Sequence, residues 1–238
     1  MTRISCSAAA LIAACSIVST ASASVVWTGS SGSRAAEIEF AVTGGNLEVT
    51  LSNTSPNDVL VPVDVLTGVF FDIAGAPLTL TRQSAKVAPG STVLFGTTDP
   101  GNVVGGEWAY KGGLSGGPHG AKYGLSSSGL GLFGPGDIFP GSNLEGPASP
   151  GGLEYGITSI GDNPATGNTP VTGSNALIKH SVVFVLGGVG ESFDLNRIGN
   201  VSFQYGTALS EPNTPGTPAP GAAALLGLGS LLIARRRR

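Results

Sequence analysis

Cysteine is nearly missing from this chain. Its 238 residues hold two, Cys6 and Cys15, both close to the amino end. Beyond Cys15 no disulfide framework, thiol nucleophile or cysteine-based zinc site can be built. Histidine is as scarce, with His119 and His180 alone. Charged residues make up 11% and aromatics 6% of the chain, a poor supply for a helical enzyme. Helical periodicity is absent between Val25 and Glu211, so a helix bundle is excluded for the body. Glycine is the compensating excess: 38 residues, about twice its usual share.

The two ends differ from the body. Arg3 precedes an apolar stretch, Ala8 to Val18, and then the small-x-small triplet Ala21-Ser22-Ala23. Charge, apolar run and small-residue site are the three parts of a secretory signal peptide. Cleavage by signal peptidase is expected after Ala23, which leaves Ser24 as the new terminus. A lipoprotein signal is the alternative, since Ile12-Ala13-Ala14-Cys15 is a loose lipobox. Ser16-Ile17-Val18 continues the apolar run past Cys15, and the better site at Ala21 and Ala23 follows.

At the other end, Pro218-Ala219-Pro220 leads into an uncharged run, Gly221 to Ala234, which is followed by Arg235, Arg236, Arg237 and Arg238. Fourteen helical residues reach about 21 Å, short of a hydrocarbon core of about 30 Å. Four terminal arginines favour the cytoplasmic side of a membrane, so the body is expected on the other side. An undersized span behind a small-residue motif has the logic of an anchor made to be cut and replaced. These residues resemble the PEP-CTERM sorting signal of bacterial exosortase systems, in the Pro-Ala-Pro variant common in planctomycete-like bacteria. Ala219 stands where the family's usual Glu would be, and the match covers about a tenth of the chain. The resemblance implies an exosortase as partner, transient membrane insertion through 221–234, and removal of the tail. A permanent single-span anchor and an ordinary C-terminal helix are the alternatives.

Between the ends lie seven basic residues and all fifteen acidic ones, so the body carries eight net negative charges. That balance argues against nucleic acid as a partner and suits solubility in an extracellular matrix. Just under 200 residues suffice for one domain with a proper core.

Alternation of period two runs through the body. In Glu37 to Val42 the acids face one side, with Ile38 and Phe40 on the other. Gly44-Gly45 turns the chain into Asn46 to Leu51, a hairpin pattern. Leu60 to Asp64, broken by Pro62, is at best an edge strand. Val65 to Ile73 reads as a buried central strand, with further strands at Leu78–Thr81, Thr92–Phe95, Glu107–Tyr110, Leu153–Ile160, Ala176–Leu186 and Asn200–Tyr205. From Gly112 to Gly152, fourteen of 41 residues are glycine and five proline, so this stretch is mostly loop. Its Leu125, Leu130, Leu132, Phe133, Ile138 and Phe139 are expected to pack onto the sheets.

The expected fold class is therefore all-β: a single β-sandwich, jelly-roll or Ig-like, with a signal helix before it and a short membrane helix after it. The expected divisions are 1–23 signal peptide, 24–210 surface domain with a 112–152 insertion, 211–217 Pro-rich linker and 218–238 sorting signal. Leu51 to Ser55, Val59 to Pro62 and Leu66 to Asp72 also resemble uncharacterised exosortase-dependent surface proteins, a resemblance that implies no catalysis.

Several patterns admit chemistry. Gly113-Leu114-Ser115-Gly116-Gly117 fits G-x-S-x-G, with Asp162 and His180 following in hydrolase order, but no helix is expected after Ser115. Gly129 to Gly134 fits G-x-G-x-x-G without the strand–helix setting that cradles phosphate. His119 reads as a turn residue and His180 as a structural one. Asp58, Asp64 and Asp72 are the acids available for a calcium ion, the one cofactor considered, though they lack EF-hand spacing. Glu37 and Glu39 share a strand face and read as a solvated pair rather than glycosidase carboxylates. Trp27, Trp108, Tyr110 and Tyr123 are candidates for a sugar platform.

The resulting expectation is a non-enzymatic, exported cell-surface or extracellular-matrix protein. It is processed by signal peptidase and an exosortase, and surface polysaccharide is a further partner. A carbohydrate-binding module or adhesin is the alternative, and a hydrolase the remote one.

Overall fold

A computed structural model describes residues 24–146, 148–166, 171 and 175–219. Ala21, Ala23, Pro220, the apolar run 221–234 and Arg235–Arg238 lie outside the described residues. Among the described residues no helix is long and apolar enough to cross a membrane, and the only helices are three-residue 3-10 turns.

The described residues form β-strands joined by loops and 3-10 turns. In order the strands are β1 (Ser24–Ser31), β2 (Arg34–Thr43), β3 (Asn46–Asn53), β4 (Leu66–Ile73), β5 (Thr81–Val87), β6 (Thr92–Leu94) and β7 (Ala109–Gly112). They continue as β8 (Tyr123–Ser126), β9 (Ile157–Thr158), β10 (Leu177–Lys179), β11 (Ser181–Gly187), β12 (Ile198–Tyr205), β13 (Asn213–Pro215) and β14 (Thr217–Pro218). One sheet has the order β14-β1-β2-β3-β11-β5. The other runs β13-β12-β4-β9-β10-β6, with β8 also on β4 and β7 on β8.

The hairpin pattern folds as the alternation predicts. Gly44 and Gly45, at φ 55° and 77°, make the left-handed turn that a side chain would resist. The register sets Ile38 opposite Leu51 and Phe40 opposite Val49. All four are fully buried, while Glu37 and Glu39 are half-exposed on the outer face.

The two sheets share one core. Phe40 meets Phe71 edge-on at 5.2 Å, and Phe184 meets Trp108 at 4.9 Å and Phe139 at 5.5 Å. Removing any one of these rings should cost about 3–5 kcal/mol.

β4 is apolar on both faces for a physical reason. Val69 and Phe71 point into the shared core, whereas Phe70 faces a second cluster with Leu114, Leu130 and Phe133. That cluster belongs to the Gly-rich stretch, which folds over the outer face of the sheet as its apolar residues predict. Leu132 and Ile138 pack against it, and Leu125 and Phe139 enter the main core. Gly124 makes the fit: a Cβ there would lie 2.9 Å from both the Phe133 and Phe70 rings.

Six expectations change. The strand expected over Leu153–Ile160 shrinks to the two residues of β9, and the one expected over Glu107–Tyr110 starts only at Ala109, because Glu107 ends a 3-10 turn. Leu60–Asp64 holds no strand but a 3-10 turn, Pro62–Asp64, because Pro62 lacks the N–H a ladder needs. Leu78 to Leu80 is irregular, and the strand starts at Thr81. The run Ala176–Leu186 is two strands in different sheets. The chain changes sheet at His180, which adopts φ 88°; its N–H donates to Thr158 O at 3.1 Å and its carbonyl accepts from Asn53 N at 2.9 Å. Finally, the expected linker 211–217 is structured. β13 pairs with β12 in one sheet and β14 with β1 in the other, so six residues, Asn213 to Pro218, strap the two sheets together. Gly216 N donates to Val201 O at 2.8 Å at the crossing.

Candidate functional site

A cleft of about 760 Å³ opens where β4 ends and the Gly-rich stretch begins, between Asp72–Leu80 on one side and Tyr110–Tyr123 on the other. That volume is ordinary for a small-molecule site.

One wall is Ala74 to Leu80. Arg197 clamps it from outside: Nε donates to Ala74 O at 2.7 Å and the guanidinium lies 5.3 Å over the Phe193 ring. The opposite wall is closed by Leu114 N, which donates to Lys122 O at 2.9 Å. Asp72 joins the two. Its Oδ1 accepts from Lys122 N at 2.7 Å and its Oδ2 from Asn200 Nδ2 at 2.8 Å.

Two tyrosines form the floor. The Tyr123 ring stacks on Phe71 at 5.7 Å, and its hydroxyl accepts from Leu78 N at 3.0 Å. Tyr110 is 3% exposed, and its hydroxyl is buried with no hydrogen-bond partner among the described residues. Burial pushes the Tyr110 phenol well above its ordinary 10.0, so it stays a neutral donor. A buried hydroxyl without a partner costs about 1–3 kcal/mol. Gly112 keeps the floor open, since a Cβ there would fall 3.0 Å from that hydroxyl and 3.3 Å from the Tyr123 ring. Lys122 is exposed on the rim and forms no ion pair among the described residues.

The other candidates are placed as follows. Trp108 is fully buried against Phe184, so it cannot join a sugar platform. Tyr110 and Tyr123 do share a cleft, and half-buried Trp27 lies elsewhere, on β1. Ser115 is not assembled with Asp162 and His180. Ser115 adjoins Leu114 beside Lys122, near the Ile73 end of β4, whereas Asp162 binds Val59 N and His180 binds Thr158, next to the Leu66 end. Seven residue steps of strand separate those ends, about 20 Å. Gly129–Gly134 is a tight turn with Leu130 and Phe133 plugged into the second cluster, and a 3-10 turn follows it.

Asp58, Asp64 and Asp72 are kept apart, each with its own partners. Asp58 takes the Asn163 N–H and the Thr166 hydroxyl, Asp64 takes Arg34 at 2.8 Å, and Asp72 is occupied as above. Of the sorting motif, Pro218 lies opposite Trp27 and Ala219 N donates to Val26 O at 2.8 Å.

The burial of two acids escapes a reading of the sequence. Glu107 has no exposed surface, and its carboxylate accepts from Leu144 N, Glu145 N and Ser149 Oγ at 2.7–2.9 Å. Asp162 is 3% exposed beneath Asp58. An acid set directly before a tryptophan, as Glu107 is, was the one available signal for the first.

No protein-family model, curated protein or solved structure matches this chain.

Proposed function

We propose that this chain is an exported bacterial surface protein whose tail is an exosortase sorting signal. Its body is a β-sandwich, jelly-roll or Ig-like, that does no chemistry of its own and needs no cofactor. The observation that carries the reading is the tail's three-part order: Pro218-Ala219-Pro220, an uncharged run to Ala234, then four arginines. The signal-like start through Ala23 and an acidic, thiol-free body agree with it. The strap agrees too, because it holds Pro218 and Ala219 on an outer strand of the domain, where the tail leaves it. Signal peptidase and an exosortase act on the protein, 221–234 enters the inner membrane transiently, and the body ends at the surface or in extracellular polysaccharide.

Mass spectrometry of the protein recovered from exosortase-bearing cells tests this. The expected mature chain begins at Ser24 and lacks Arg235–Arg238. An intact arginine end, or unchanged size and location in cells without the exosortase, overturns it.

One observation favours a second reading in which the body is a carbohydrate-binding module or adhesin. Tyr110 and Tyr123 line one cleft. Glycan-array binding that Tyr110→Phe weakens supports it, and a silent array overturns it.

A further inference from the structure

We infer that β14 is a latch on the sorting motif, and that Thr217–Ala219 must peel away from β1 before the tail can be cut. The inference rests on the exosortase reading and adds a control that the fold exerts on it.

Two of the three motif residues are built into the domain. Thr217 lies opposite Thr28 and Pro218 opposite Trp27, and Ala219 N donates to Val26 O at 2.8 Å. In an antiparallel pair the bonded positions alternate. Ala219 is bonded, so Pro218 falls at a position that asks for no N–H toward β1, and proline fits there without loss. Thr217 returns to a bonded position, and its Oγ1 also donates to Thr28 O at 3.3 Å. The motif thus suits the sheet edge residue by residue.

What holds it is slight. Thr217 and Pro218 are exposed and Ala219 is half-buried, so little apolar surface keeps β14 down. Just upstream the grip is firmer. Gly216 N donates to Val201 O at 2.8 Å, Thr214 is buried, and Pro215 passes so close to Gly29 that a Cβ there would lie 2.9 Å from Pro215 O. Opening therefore stops at Gly216 and frees three residues.

Those three residues decide reach. Only Pro220 separates Ala219 from Gly221, where the apolar run begins, so with β14 closed a single residue is left between the paired strand and the expected membrane segment. Peeled, Thr217–Ala219 add about 10 Å of extended chain. A cutting enzyme also needs the chain unpaired. It reaches a strand in a sheet through local opening, at a rate that follows the open population. The cut breaks one peptide bond, frees the downstream amine and passes the upstream acyl group to water or an amine acceptor.

The test is a cross-strand disulfide, Thr28→Cys with Thr217→Cys, in the protein exported by cells that lack the exosortase and then mixed with membranes that carry it. Directly opposed residues at a bonded pair have Cα atoms about 5.5 Å apart, within disulfide range. No native cysteine lies beyond Cys15 to compete. The oxidised pair is expected to lose its tail at least tenfold more slowly than the same protein after reduction, while the parent ignores the reductant. Thr217→Pro, which deletes a ladder N–H, should be processed about two- to tenfold faster than the parent, the worth of one hydrogen bond.

Equal rates for the oxidised and reduced pair overturn the latch and leave the exosortase reading standing. A pair that does not cross-link in the folded domain, or a Thr217→Pro variant that is cut no faster, also overturns the latch alone. A parent that keeps its arginine end in the presence of the enzyme overturns the exosortase reading and the latch with it.

Discussion

Ser149 Oγ donates to Glu107 Oε2 at 2.7 Å, within a carboxylate that has no surface of its own. The other oxygen of Glu107 takes Leu144 N and Glu145 N. One side chain thus fastens both ends of the 144–149 loop. Glu107→Ala takes the acceptor from Leu144 N and Glu145 N and leaves Ser149 Oγ only Asn143 Oδ1 at 3.3 Å, and should lower stability by about 3 kcal/mol. Glu107→Gln, which keeps one acceptor oxygen, should lose less. Urea midpoints of the three proteins check the order, and an unshifted Ala midpoint would show that the loop is held by something else.

Gly106 tests the same corner sterically. A Cβ there would lie 1.5 Å from Ser142 O, which is backbone and cannot swing aside. Gly106→Ala should cost about 3 kcal/mol, the upper range for overpacking. Gly136→Ala, with nothing within 4 Å, should stay within about 0.5 kcal/mol of the parent. Thermal melts of the pair separate a loop that is packed from one that is merely rich in glycine.

The acid pair Asp58 and Asp162 makes stability depend on pH in opposite senses. Burial first, then the neighbouring Asp58 carboxyl, lifts Asp162 above its ordinary 3.8. Its contribution is complete below 3.8 and fades as pH rises through the raised value. Asp58 is held below 3.8, first by the Thr166 hydroxyl and then by the Asn163 N–H. Its contribution is present above 3.8 and fades as pH falls through the lowered value. Asp162→Asn removes the first effect and keeps an oxygen for Val59 N, which donates to Asp162 Oδ1 at 3.2 Å. The stability of the variant relative to the parent should rise with pH just above 3.8 and level off at higher pH. A difference that is flat across that range counts against the pair.

The strap makes a prediction about length. A chain that stops at Pro212 loses the ladders of β13 on β12 and of β14 on β1, at a cost of at least about 2 kcal/mol. Its melting temperature should lie about 4–8 °C below that of a chain that stops at Ala219. Equal melting of the two would mean that the strap is ornamental.

Much of the architecture was legible wherever one residue pattern had one structural solution. Ile38, Phe40, Leu47, Val49 and Leu51 alternate against Glu37, Glu39 and Glu48, and a two-sided hairpin answers that pattern directly. Val69-Phe70-Phe71 announced a strand buried on both faces, though not that Leu130 and Phe133 would cover the second one. The strap was hidden because Pro212, Pro215 and Pro218 resemble a linker. At an outer position a proline still accepts through its carbonyl, so local composition undervalues such strands. The break at His180 was hidden for another reason. Ile178-Lys179-His180-Ser181-Val182 reads as continuous strand, and only the demands of two sheets bend it. The cleft was half-visible. Tyr110 and Tyr123 stood among the aromatic candidates, yet alternation alone could not show that they would line one cleft while Trp108 was fully enclosed.

The strap also decides how the domain meets mechanical force. Tension that arrives through residue 219 reaches β14 first and then β13, so a pull there is divided between both sheets. The attachment point is a short stitch across the seam rather than a loose thread at one edge, and the domain would tend to move as a unit before it unravels.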